Sequence, residues 1–295
     1  MRDRRSIVAA AFIAAVGVAL AGQADDPRGD QACLAVHGAR LPFGVRTVED
    51  VIAGRGRARP AFHCSLQAPF GRFVNVIGSS QPWFYLEIPK AGSTSMKRWI
   101  GQFTNQLNKP RTLKQKLPIR QSFTVVREPL NRFLSAYGTV RHRAKPKYPF
   151  NNTRLSESER FERFVDLLAA KGDHLAMEHT DEGCIWYHPF SQLWFFELLD
   201  QPVTRILRLE KIETDLAEFL NETHLAGTNP SGAKRRGAKS SVPLTLQGYL
   251  SVPKKNAMEG GFDPRTLRMS SPMGIRKALR YLAQDYACLG YPIPT

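Results

Sequence analysis

Acidic residues are scarce in this chain: 26 Asp and Glu stand against 42 Lys and Arg, a formal net charge of +16 over 295 residues. That imbalance predicts attraction to anions and says little about fold. No zinc-finger spacing, no ribonucleoprotein motif and no basic helix interleaved with aromatics occurs, so the charge does not point to nucleic acid. Anionic nucleotide cofactors and acidic polysaccharides remain. His, Cys and Asp nowhere cluster at metal-ligand spacing, and the chemistry outlined below requires no metal. Nothing repeats at a fixed period, which excludes a solenoid or propeller. Missing too is the triphosphate loop Gly-x-x-x-x-Gly-Lys-Ser/Thr.

Long apolar runs are equally rare. At the N-terminus Arg2, Arg4 and Arg5 precede an apolar stretch from Ile7 to Ala21, the pattern of a secretory signal, with Ala19-Leu20-Ala21 as a cleavage site. The stretch is short for a membrane span. Left uncleaved, it would act as a signal anchor, its basic flank in the cytosol and the rest in the lumen. Residues 1–24 are therefore expected to be a signal peptide or signal anchor. Localisation follows as the secretory pathway: the Golgi lumen as a type II membrane protein, or secretion after cleavage. The sequons Asn151-Asn152-Thr153 and Asn221-Glu222-Thr223 and four cysteines, Cys33, Cys64, Cys184 and Cys288, agree with that compartment. Four free buried cysteines are the ordinary alternative, and pairing is not legible in the sequence. Residues 25–80, rich in Gly, Arg and Pro with little periodicity, read as a stem or N-terminal extension, and residues 81–295 as the catalytic domain.

Within that domain the stretch FYLEIPKAGSTSMKRWI, residues 84–100, carries the first chemical signal. Phe84 to Ile88 is a short apolar run expected as a buried strand, and from Met96 the apolar residues Met96, Ile100, Phe103 and Leu107 recur at helical spacing. Between them lie Pro89, Lys90, Ala91, Gly92, Ser93, Thr94 and Ser95. The first N–H groups of a helix have no intrahelical partner and their dipole favours an anion; Lys90 adds a full charge there. The unit recurs in QSFTVVREPLNRFLSAYGTV, where Phe123 to Val126 is a strand and Leu130, Phe133, Leu134 and Tyr137 form one helical face behind Pro129. A third run, Val203 to Leu209, precedes Ile212, Leu216, Phe219 and Leu220, and further helices are expected at Phe161–Ala170 and Ile275–Tyr286. Strands alternating with helices predict an α/β fold, a parallel sheet flanked by helices. Ligands of such sheets sit at the carboxyl ends of the strands, where Lys90 and Arg127 both fall.

Ile88–Lys97 together with Arg127-Glu128-Pro129-Leu130-Asn131-Arg132-Phe133-Leu134-Ser135-Ala136-Tyr137 resembles the paired cofactor signature of sulfotransferases, especially the membrane-bound carbohydrate sulfotransferases. Three later segments extend the likeness: His188-Pro189-Phe190-Ser191-Gln192 with Phe195-Phe196, where Ser191 stands in place of the family's usual proline; Arg208-Leu209-Glu210-Lys211-Ile212 with Asp215-Leu216; and Ala283 to Tyr291. The resemblance implies a core similar to nucleotide kinases and a sulfuryl donor, 3′-phosphoadenosine 5′-phosphosulfate. By position, Lys90, Ala91, Gly92, Ser93, Thr94 and Ser95 would surround its 5′-phosphosulfate, and Arg127 and Ser135 would hold its 3′-phosphate. Arg235 and Arg236, in a basic Gly-containing loop, are further candidate contacts, with a solvated loop as the plainer reading. The hydroxyls taken singly could be helix caps, and Arg127 a surface ion pair.

Sulfuryl transfer needs an acceptor hydroxyl aligned with sulfur, a cation where the leaving phosphate gathers charge, and a base. Lys90 is the expected cation. His188 is the first candidate base, with His142 and Glu87 as rivals and a structural histidine as the alternative role. The acceptor implied is a hydroxyl-bearing glycan, and the positive charge suits an anionic one. A phosphotransferase is disfavoured by the incomplete triphosphate loop. A non-catalytic binder of acidic glycans, secreted or anchored, would explain the charge and the leader but not the paired loops.

Overall fold

The computed structural model describes residues 71–74, 83–103, 121–144, 148–171, 185–196, 203–223, 246–250 and 262–294. Four strands form one sheet in the order β1 (Gly71–Val74), β2 (Trp83–Leu86), β3 (Ser122–Val126), β4 (Arg205–Arg208). β2, β3 and β4 run parallel, Tyr85 opposite Phe123 and Phe123 opposite Arg205. β1 is antiparallel to β2, with Gly71 opposite Leu86. The sheet thus begins before Gln81, within the segment expected to be a stem. The expected strand from Phe84 to Ile88 starts and ends earlier, because Ile88 already belongs to the turn that leads to Lys90.

Parallel neighbours require long crossovers. α1 (Ser93–Phe103) follows β2, and α2 (Pro129–Arg143), α3 (Glu157–Lys171) and α4 (Gln192–Phe196) follow β3. After β4 come α5 (Ile212–Glu222), α6 (Leu246–Leu250), α7 (Pro264–Ser270), α8 (Pro272–Tyr281) and α9 (Ala283–Leu289). The long helix expected over Ile275–Tyr286 is broken at Leu282, so its apolar residues serve two shorter helices.

Alternation along the strands sorts side chains to two covered faces. Trp83, Tyr85, Phe123 and Val125 pack with Met96, Trp99 and Ile100 of α1 and Leu216 and Phe219 of α5. Phe84, Leu86 and Val126 pack on the other side with Leu130, Phe133, Leu134 and Tyr137 of α2 and with α3 and the C-terminal helices. The result is an α/β fold with helices on both faces. Rings lock α2 to α3: Tyr137 lies 5.0 Å from Phe161 and 4.9 Å from Phe164, and its hydroxyl donates to Glu157 Oε1 at 2.7 Å. That packing fixes the helix that begins just after Arg127.

Of the two sequons, Asn221 is exposed at the end of α5, whereas the Asn151 side-chain amide donates to the Ala144 carbonyl at 2.7 Å. Cys288 is disulfide-bonded, not free; Cys33, Cys64 and Cys184 lie outside the described residues, as do residues 1–70 with the expected leader. Among the described residues no helix is long and apolar enough to cross a membrane.

Candidate active site

The chain leaves β2 and reverses direction before α1 through two left-handed residues, Lys90 at φ 67° and Gly92 at φ 77°. Gly92 has a double reason to be glycine: its φ, and a Cβ that would stand 2.8 Å from Leu209 Cδ1. Lys90 adopts the same region at a cost of about 1 kcal/mol, the kind of local strain that a surrounding fold must hold in place. Ala91 N–H donates to the Ile88 carbonyl at 3.3 Å, and the first helical bond runs from Met96 N–H to the Gly92 carbonyl at 3.0 Å. The N–H groups of Ser93, Thr94 and Ser95 therefore have no intrahelical acceptor. No acid stands in the first turn of α1. Ala91 and Ser93 are buried, Lys90 and Ser95 partly buried and Thr94 exposed. One turn on, Lys97 pairs with Glu87 at 2.7 Å, so this rival base is engaged by a cation.

α2 begins differently. Glu128 caps it, accepting from Leu130 N–H at 3.2 Å and Asn131 N–H at 2.7 Å, with Pro129 at the first helical position. The N–H groups of Leu130 and Asn131 are thus already taken and are not offered to an anion. What the second loop offers is Arg127, whose Nη1 donates to the Lys90 carbonyl at 3.2 Å, so the two loops meet directly. Burial pushes the Arg127 guanidinium below its ordinary value, opposed by Glu210 and Glu128. The buried Gln192 side chain holds the Arg127 peptide from both sides: Arg127 N–H donates to Oε1 at 2.9 Å, and Nε2 donates to the Arg127 carbonyl at 2.8 Å. Ser135 lies two turns along α2, partly buried, with Asn131 between it and Arg127.

A residue given no role by the sequence reading ties these parts together. Arg132 is fully buried and donates to three backbone carbonyls: Pro89 from Nε at 3.1 Å, Phe190 from Nη1 at 2.6 Å and His188 from Nη2 at 3.0 Å. Its guanidinium also lies 5.5 Å from the centre of the Phe195 ring. Burial pushes its pKa down to about 10, partly offset by Asp285, so the group stays charged at neutral pH. Asp285, also fully buried, accepts from Ser191 Oγ, Gln192 N–H at 2.8 Å and Leu193 N–H at 3.3 Å, thereby capping α4. Burial pushes its carboxyl up, against Arg132 and these donors. The only signal for this pair was position: Arg132 sits inside the second loop motif and Asp285 inside the C-terminal one.

His188 stacks on Tyr187 with ring centres 4.6 Å apart, and its Nδ1 is buried with no hydrogen-bond partner among the described residues. Burial, then Lys90, Arg132, Arg143 and Lys97, hold the imidazole well below its ordinary pKa, which keeps it neutral at pH 7. His142 is exposed in the last turn of α2. Arg235 and Arg236 lie outside the described residues.

The C-terminal segment completes the second loop from behind. The Tyr286 hydroxyl donates to Glu128 Oε1, Glu128 N–H donates to Glu210 Oε1 at 2.8 Å, and the Tyr291 hydroxyl donates to Glu210 Oε2 at 2.9 Å. No curated protein and no solved structure matches the chain. Residues 76–242 match the sequence model described as the sulfotransferase family. The match contains the loop of Lys90, the loop of Arg127 and the His188 segment that Arg132 binds together, and since it spans more than half the chain, this protein belongs to the sulfotransferase family.

Proposed function

We propose that the protein transfers a sulfuryl group from 3′-phosphoadenosine 5′-phosphosulfate to an acceptor hydroxyl, on a carbohydrate. The observation that carries this reading is the direct contact of the two loops, Arg127 Nη1 on the Lys90 carbonyl, beside an α1 terminus with no acid in its first turn. N–H groups without an intrahelical acceptor, hydroxyls and Lys90 suit a 5′-phosphosulfate, and the guanidinium of Arg127 with Ser135 suits a 3′-phosphate. The residues present thus fit the donor, which supplies an activated sulfur and a phosphate leaving group.

Lys90 would neutralise charge that grows on the leaving oxygen, an interaction stronger in the transition state than before it. The neutral His188 can accept the acceptor's hydroxyl proton. Burial first, and then its cationic neighbours, disfavour an imidazolium in the free enzyme; anionic ligands beside Lys90 would offset the second of these. The strongly positive chain favours an anionic glycan as acceptor. A lumenal location, anchored in the Golgi or secreted, is supported by the Cys288 disulfide and the exposed Asn221 sequon.

Calorimetric binding of 3′-phosphoadenosine 5′-phosphate, with ATP as comparison, tests the donor. Selective binding of the former, lost in Arg127→Ala, is the expected result. Absence of binding by folded protein that still holds acidic polysaccharide would replace this reading with that of a glycan binder.

A further inference from the structure

Asn131 and Ser135, four residues apart, share one side of α2, and Arg127 stands just before the Glu128 cap that opens it. A second guanidinium reaches this side from α7. Arg268 Nη2 donates to Asn131 Oδ1 at 3.0 Å and lies 3.6 Å from Glu128 Oε2. α7 is firmly placed: Asp263 caps it by accepting from Arg265 N–H, Pro264 opens it, and Leu267 is buried in the core next to Arg268. The Arg268 side chain is 37% exposed, so a solute can reach it.

We propose that Arg268 is the second cation of the 3′-phosphate subsite, and that with Arg127 it makes the enzyme select nucleotides carrying a 3′-phosphate. The proposal rests on the donor assignment above. Arg268 is near enough to Arg127 to disfavour its charge, an arrangement that an anion between them would relieve. The acids facing the pair are Glu128 and Glu210, with the phenols of Tyr286 and Tyr291 behind them. Both carboxylates accept from neutral donors: Glu128 from two backbone N–H groups and Tyr286, Glu210 from the Glu128 N–H and Tyr291. Among the described residues Arg268 makes one neutral hydrogen bond, to an amide oxygen, and can turn its other donors to a phosphate. Nothing in the sequence pairs residue 268 with residue 131; only the seating of α7 against the start of α2 does.

The test compares affinity for 3′-phosphoadenosine 5′-phosphate with that for adenosine 5′-phosphate, which lacks the 3′-phosphate, in the full chain and in Arg268→Ala, Arg268→Lys and Arg127→Ala. Arg268→Ala should lower the ratio of the two affinities about tenfold or more, the size of one lost charge-assisted hydrogen bond, and leave adenosine 5′-phosphate binding and the thermal midpoint unchanged. Arg268→Lys should fall between, keeping charge without the fork. A ratio unchanged in Arg268→Ala but collapsed in Arg127→Ala would overturn the role of Arg268 and leave the donor assignment standing. A wild-type protein with no preference for the 3′-phosphate would overturn both.

Discussion

At the scale of single residues the site is held by groups whose environments would be unfavourable if taken alone. Arg132 and Asp285 are both fully buried, and each offsets part of the other's desolvation. Arg132→Met should therefore cost about 3–5 kcal/mol in denaturant unfolding, since it leaves three buried carbonyls without their donor and removes the charge that offsets Asp285. Adding Asp285→Asn should recover part of that loss; a double variant as unstable as the sum of the singles would show the two charges to be independent. Gly92→Ala forces a Cβ into a left-handed position against Leu209 and should cost about 1–2 kcal/mol while weakening nucleotide binding. His188 gives a pH signature. In the unfolded chain it takes a proton near pH 6.5, but the fold holds it neutral to well below that, so the unfolded state binds the extra proton and stability falls as pH drops below about 6.5. His188→Gln should flatten the thermal midpoint between about pH 7 and pH 5, and should lower turnover without loss of nucleotide affinity. Full turnover in that variant would remove His188 from the chemistry.

At the scale of elements, the two strand-loop-helix units look alike in sequence yet end in different ways. α1 opens with hydroxyls and no acid, α2 with a glutamate that caps it. Glu128→Ala should cost about 1 kcal/mol for the lost cap, and more if Tyr286 is left unpaired. The C-terminal helix lies beyond the residues matched to the family, yet Asp285 caps α4, and α4 carries the Gln192 that clamps Arg127. Deleting 283–295 should thus abolish selective 3′-phosphate binding, read by the same calorimetry, even though every loop residue remains. β2, β3 and β4 were legible as short apolar runs and most helices because their apolar residues keep a period near 3.6, whereas β1 lay in the segment expected to be a stem. The break at Leu282 was not, since Ile275 to Tyr286 keeps a helical period straight through it. The short α4 and α7 span too few residues to show a period at all.

At the scale of the whole molecule, net charge and architecture act together. With +16 to distribute, binding to a sulfated polysaccharide should weaken steeply as ionic strength rises from about 0.05 to 0.5 M, where the screening length shrinks to a few ångströms. Salt-independent retention on such a polymer would point to a local, shape-driven site. The sequence by itself determined the α/β class, the places where two strands hand over to helices, and the residue types that suit an anionic donor, because periodicity and turn chemistry are local properties. Only the tertiary structure decided which residues join those places into a site. Arg132 to Pro89 and His188, Gln192 to Arg127, Asp285 to α4 and Arg268 to Asn131 are contacts between elements far apart in the chain. Their existence depends on how the helices pack on the sheet, which no local spacing encodes.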